Sequence, residues 1–393
     1  MRKMLFRLMG GYRRASLFAL KLRGHDERSL AEERVVTGKV WDDFCDDLRA
    51  AGATLAFPGA PNDVENLTEG YRYLTRLMRA GLENFLEFND PAAPVLRRMV
   101  HETVKMGADN PDNYYQNCAI SGAMTYRIRG TRGTVAQLNF GTQKGNYGEG
   151  EGGMPPTGRL DALNMEIAAD GTFEILVSCE RPASGNWLPM EPETNLLIVR
   201  QTFLDRETEQ IADLTVERID GDSAPTPLTA QRLDEALEQT TTLVAGASVL
   251  FAKWARDFQQ HTNELPMFDQ EVSNKAGGDP NIRYYHSHWR LAPDEALVIE
   301  VTPPECQFWN FQLNNYWMES LDYRYFRVHT NKHLAKYEPD GSVRVVVAHQ
   351  DPGLPNWIQT VGHDQGTMCW RWIHAESAPQ PRTRVVKLRD LRA

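Results

Sequence analysis

The stretch Asp340–Trp357 reads DGSVRVVVAHQDPGLPNW, and Asp170–Trp187 reads DGTFEILVSCERPASGNW. Asp-Gly opens both, a proline sits mid-way, and Asn-Trp closes both. Asp170 and Asp340, Pro182 and Pro352, and Asn186 and Asn356 are each 170 positions apart, with no gap. Within the stretches, Phe173, Ile175, Val177 and Cys179 alternate onto one face, as do Val343, Val345, Val347 and His349; a period of two is the mark of a strand with one buried side. Upstream, Asn139-Phe140 and Asn310-Phe311 match at a shift of 171. The shared residues are turn and corner residues, which a duplication keeps because the backbone demands them. The expectation is an α+β chain: two related jelly-roll-like antiparallel β-sandwich domains, an N-terminal helical region, and a long helix between the sandwiches.

The rest of the chain divides around that repeat. Residues 1–30 form a basic tail, with Arg2, Lys3, Arg7, Arg13, Arg14, Lys21 and Arg23 before the first acid. Residues 31–110 read as helical: Val40, Trp41, Phe44 and Leu48, then Leu67, Tyr71, Leu74, Met78, Leu82 and Phe85, recur at helical spacing. After Asn110-Pro111-Asp112 the period falls to two, which sets the first repeat at 111–222. A connecting helix occupies 223–265, carried by Leu233, Leu237, Leu243, Val244, Leu250, Phe251 and Trp254, and the second repeat is 266–393.

Composition narrows the function classes. With 393 residues, 41% hydrophobic and 24% charged, the chain is ordinary globular material large enough for more than one core. A formal charge of −10 argues against nucleic acid, whose phosphates need clustered Lys and Arg. Five scattered cysteines without a CxxC pair fit a reducing compartment, and a cytoplasmic location is expected. Residues 1–24 are too short in apolar runs for a membrane span, but Leu5, Phe6, Leu8, Met9, Leu17 and Phe18 among basic residues fit peripheral contact with an anionic membrane. Self-association is a further expectation.

Several separated motifs then resemble one family. GADNPDNYYQN (107–117), YRIRGTRG (126–133), GNWLPMEPET (185–194), ALVIEVTPPECQFWNFQLNN (296–315), ESLDYR (319–324) and VAHQDPGLPNW (347–357) look like the bacterial proteins of domain of unknown function 1214, often paired with the 1254 domain. The likeness runs from about Asp109 to the C-terminus. It implies a double β-sandwich of jelly-roll type with a helical insertion, and it implies no activity.

Candidate site residues concentrate in the second repeat, where seven of the ten histidines follow residue 285. In YYHSHWRL, His286, His288 and Arg290 share a face. A His-x-His strand pair can hold a metal, but the next acid, Glu295, lies beyond a turn and Arg290 would oppose a cation, so neither metal nor cofactor is expected. His349 ends an apolar row whose duplicate keeps Cys179, and reads as a general acid or base oriented by Asp351. Asn310, Gln312 and Asn314 form an amide row which, with Trp317, Tyr323 and Tyr115, suits hydroxyl-rich or planar ligands. Glu319 and Asp322 could form an acid pair. The Gly148, Gly150 and Gly153 run lacks the helix a phosphate loop needs, and residues 145–153 read as a plain surface loop, the alternative being a loop that covers a pocket. These residues lead to a cofactor-independent hydrolase or lyase acting on a small sugar-like or aromatic/terpenoid molecule. The alternatives are a non-catalytic lipid- or glycan-binding sandwich and an interaction protein held at a membrane.

Overall fold

The computed structural model describes residues 26–147 and 153–391. The basic tail expected to meet a membrane, and most of the glycine-rich loop, fall outside them. Three helices open the described chain: α1 (Glu27–Val36), α2 (Lys39–Ala51) and α3 (Val64–Gly81). Asp26 and Asp63 start α1 and α3 by accepting the Ser29 and Asn66 N–H groups at 2.8 and 2.9 Å, which satisfies donors the helix cannot. Helix α4 (Ala230–Phe258) is capped in the same way by Thr229. From Thr240 onward it is buried almost all round, because α1, α2 and α3 cover one side and the second half's strands the other. Tyr73, Leu77, Ala80, Leu243, Ala247 and Phe251 meet in the core they share.

Each half of the β region is a sandwich of two four-stranded sheets. In the first, β1 (Asn113–Ala119), β7 (Leu196–Thr202), β3 (Gln137–Gln143) and β4 (Pro156–Asp161) lie side by side in that order. They face β6 (Asn186–Pro189), β5 (Thr172–Ser178), β2 (Tyr126–Thr131) and β8 (Asp213–Arg218). In the second half the order is β9 (Ile282–Arg290), β15 (Gln365–Ala375), β11 (Cys306–Asn314) and β12 (His329–Asn331), against β14 (Trp357–Gln359), β13 (Val343–Ala348), β10 (Glu295–Val301) and β16 (Arg382–Lys387). Strand for strand the two orders coincide. Phe140, Ile175, Val177 and Val199 fill the first core, and Phe311, Val345, Val347 and Trp370 the second.

The quoted stretches owe their likeness to one local construction. Asp170 and Asp340 each accept an N–H two residues on, from Thr172 and Ser342, at 3.0 Å. Gly171 and Gly341 turn the chain at φ of 85° and 81°, where a side chain would be strained. Asn186 and Asn356 each donate to two carbonyls, Glu166 and Glu174 in one case and Lys336 and Arg344 in the other. The Trp187 and Trp357 indoles donate to Ser178 and Ala348 carbonyls. This corner is more than a turn: it is a short strand, β6 or β14, running parallel to the one before it.

The halves meet as the two subunits of a symmetric dimer do. An isologous interface pairs equivalent residues. Here Gln137, at the start of β3, donates to Gln307, near the start of the equivalent strand β11, at 3.0 Å. Asp161 of β4 meets His374 near the end of β15 at 3.2 Å, and Asn331 of the equivalent β12 donates to Leu204 O just past the end of β7. The duplication therefore survives in three dimensions as a pseudo-two-fold. No helix among the described residues is long and apolar enough to cross a membrane.

Candidate functional site

In β15 the sequence alternates strictly. Met368, Trp370 and Trp372 enter the second core, so Cys369 and Arg371 face the other way. Arg371 lies opposite Asn310 on β11 and Tyr284 on β9. In the first half Leu197 and Val199 enter the core, and Arg200 lies opposite Asn139 on β3 and Tyr115 on β1. The pseudo-two-fold thus carries a Tyr–Arg–Asn row across three strands of each inner sheet. Tyr115, Arg200, Tyr284 and Arg371 all line one cavity of about 160 Å³, closed on the helical side by Phe251 and Trp254 of α4.

Arg371 is 4% exposed. Its Nη1 donates to Asn310 Oδ1 at 3.3 Å and Gln312 Oε1 at 2.5 Å, and its Nη2 to Ala108 O at 2.5 Å. Ala108 presents that carbonyl from a left-handed conformation, φ 57°, which an alanine adopts only when its surroundings impose it. All three acceptors are neutral. Asp109 also lines the cavity, but its carboxylate accepts from the Ser320 N–H and hydroxyl at 2.9 and 2.7 Å. Burial pushes the Asp109 carboxyl up, while Lys105 and the Ser320 bonds pull it back. Arg200 donates to Gly277 O at 2.9 Å. Among the described residues, neither guanidinium has a carboxylate within ion-pair distance. An arginine is always charged, so the cavity holds two positive charges that the described part of the chain does not neutralise by direct contact.

The remaining polar groups of the cavity are neutral. The His286 ring lies between Phe258 and Tyr284, nearly parallel to both with centroids 5.5 Å away. Its Nδ1 is buried without a partner among the described residues, and Nε2 is 3.9 Å from Cys369 Sγ. Burial, and then the charge of Arg371, push its pKa down to about 3. Burial pushes the Tyr147 phenol up to about 12 and raises Tyr115 and Tyr284 as well. The Cys369 thiol goes up to about 11 for the same reason.

Of the residues singled out in the sequence, His286 and Tyr115 reach this cavity. Asn310 and Gln312 stand behind it: they grip Arg371, and Asn310 Nδ2 is itself spent on Asn110 and Asp112. Asn314 accepts from Gln312 and donates to Thr367. The amide row is therefore scaffolding for a guanidinium. His288 points at Thr262 Oγ1, 3.0 Å away, and burial pushes it down to about 4.

The other expected residues line neither this cavity nor the one beside it. His349 sits at the edge of the second core with Nδ1 2.8 Å from Thr360 Oγ1 and Nε2 3.3 Å from Leu291 O. Asp351 is exposed and accepts the Gly353 N–H. Trp317 is buried against α3, donating to Asn66 O, and Tyr323 lies under the Lys105 ammonium. Asp322 pairs with Arg324, whereas Glu319 is 1% exposed and pairs with Arg76 on α3 at 2.6 Å. Among the described residues no three His, Cys, Asp or Glu side chains converge as metal ligands would.

Glu319 thus fastens α3 to the second sandwich. Glu319→Gln should leave the Arg76 charge uncompensated at a nearly buried site and cost about 3 kcal/mol. A lowered urea midpoint with an unchanged slope would register it; an unaltered midpoint would refute the fastening role.

A duplicated β-sandwich, with a cationic cavity between its inner sheets and one long helix, is the class that fold and site define. The chain belongs to the family described as protein of unknown function DUF1214, which matches residues 155–203 and 290–377. It is similar to an uncharacterized protein from Burkholderia cenocepacia of known crystal structure, at 52% identity over 91% of this chain and 99% of that one, with a TM-score of 0.89. A protein from Vibrio parahaemolyticus is 10% identical over 81% of this chain and 98% of the other, with a TM-score of 0.47. No curated protein matches the chain.

Proposed function

We propose that this protein binds a small organic carboxylate in the cavity between its sandwiches, and holds it without transforming it. The observation that carries this is the pair of guanidiniums, Arg200 and Arg371, facing one cavity in which neither has a carboxylate of the described chain within ion-pair distance, the carboxyl of the lining, Asp109, being held by Ser320. Guanidiniums and phenols are the donors that grip a carboxylate. Met106, Ile198, Phe251 and Trp254 provide an apolar wall for the rest of the molecule. At about 160 Å³ the space compares with the ~150 Å³ that accommodates a benzene ring.

Binding is favoured over hydrolase or lyase chemistry because the cavity's imidazole and phenols are shifted away from neutrality and the carboxyl of its lining is already engaged. A catalytic acid or base works best with a pKa near the working pH. His286, at about 3, is far below neutrality, the phenols are raised, and both oxygens of Asp109, itself raised by burial, are held by Ser320. His349, the residue first considered for catalysis, lies outside the cavity.

The test is calorimetry and thermal melting of the full chain with small aromatic and branched carboxylates, their neutral amides, and inorganic phosphate. Carboxylates should stabilise the fold, by about 2.7 kcal/mol at a hundredfold excess over Kd, and the amides should not. Arg200→Gln should weaken binding about tenfold or more. Mass spectrometry should recover the ligand unchanged. The reading fails if no carboxylate stabilises the protein, or if Arg200→Gln binds as well as the parent chain.

A further inference from the structure

Beside the cationic cavity lies a second of about 310 Å³, and the two have Met99, Met154 and Leu196 as a common wall. Its chemistry differs. No Asp, Glu, Lys, Arg or His among the described residues lines it; amides do, chiefly Asn84, Asn146, Asn195 and Gln239. Three of these amides each spend one N–H on the backbone. Asn84 Nδ2 donates to Ala80 O at 2.7 Å, Asn146 Nδ2 to Gln239 O at 3.3 Å, and Asn195 Nδ2 to Gly145 O at 3.3 Å.

Each such amide keeps one N–H and its oxygen for a ligand. Asn146 is the sharpest case: it is 4% exposed, and its Oδ1 is buried with no donor among the described residues. An unmet buried acceptor is costly, and native chains rarely keep one without a reason. A chamber of uncharged amides, with one buried acceptor unmet, calls for an uncharged group that can both donate and accept, a hydroxyl above all. Phe85 adds a flat apolar surface, which the ring face of a sugar-like group can cover.

We infer that the outer chamber receives a neutral, hydroxyl-bearing extension of the molecule whose carboxylate sits at Arg200 and Arg371. The full ligand is then an organic acid with a polyhydroxylated ring or chain beyond Met99, Met154 and Leu196. This rests on the carboxylate reading of the inner cavity, and the experiment separates the two.

Calorimetry on the full chain would compare short aromatic acids with their O-glucosides. The glucosides should bind about tenfold tighter or better. Asn146→Leu should bring them back to the affinity of the short acids and leave the short acids within about twofold of their parent value. If Asn146→Leu fails to fold by circular dichroism, Asn84→Leu reads the same contrast from the other side of the chamber. Short acids that bind, with glucosides no tighter, overturn this inference and leave the inner site standing. Binding by neither removes both. Equal loss of short acids and glucosides in the Asn146 variant also overturns it, since the residue would then act on the fold rather than on the extension.

Discussion

Arg371→Leu is expected to destabilise the chain by about 3–5 kcal/mol, against about 1 kcal/mol for Arg200→Leu. The two arginines occupy equivalent positions, so the difference isolates what surrounds them. Leucine at 371 would leave Asn310 Oδ1, Gln312 Oε1 and Ala108 O without the donor that each now has. Each stranded buried acceptor costs about 1–3 kcal/mol, and neighbours do not add fully. Arg200 makes one such bond, to Gly277 O. Urea midpoints of the three chains at constant slope would measure this. Equal costs at 371 and 200 would show that the amide row does not hold the guanidinium.

That row shows how far the sequence could be read. Alternation in WNFQLNN puts Asn310, Gln312 and Asn314 on one face, and they are there, with Trp309, Phe311 and Leu313 in the core. Period two is a local property, so it survives folding. What the amides face is not local: Arg371 reaches them from a strand 59 positions on, and Asp109 O from 203 positions back. The same distinction explains His349. Its place at the end of an apolar row is as the alternation says, but the cavity opens on the opposite side of the sandwich, toward α4.

Arg371 had a signal that went unused. A lone charge in TMCWRWI interrupts an otherwise apolar strand, and Arg200 in LLIVRQT interrupts another 171 positions earlier, the same shift that relates Asn139 to Asn310. Extending the repeat past its turn residues would have found both. The edge strands were harder. β4, β8 and β16 are half exposed and rich in charged or turn residues, and β12 and β14 are three residues long. Their pairing is set by the sheets they border, not by their own composition. The long helix was clearer: expected over 223–265, it runs from Ala230 to Phe258 with Thr229 as its cap.

Acid should expose the buried imidazoles before it reaches most carboxylates. His286 and His288 have folded pKa values of about 3 and about 4, below the 6.5 of an unburied ring. As pH falls through 6.5 the unfolded chain takes up protons that the folded chain refuses, so stability is lost from there downward. Each ring contributes about 1.4 kcal/mol per pH unit below 6, until its folded pKa is reached. His363 works in the opposite sense. Burial alone would lower it, but the hydrogen bond and charge of Glu69, 2.9 Å away, outweigh that and raise it. Its contribution is complete below 6.5 and disappears as pH rises through its raised folded pKa. Stability should therefore fall from near neutrality toward pH 5, before carboxylate titration dominates. In His286→Phe a phenyl ring can keep the stack between Phe258 and Tyr284 while removing the proton site. Urea unfolding at pH 7.5, 6.5, 5.5 and 5 should show the variant's slope shallower than the parent's by about 1.4 kcal/mol per unit below pH 6. Parallel curves would mean that the ring is protonated in the folded chain, and the cavity wall would then carry a third positive charge.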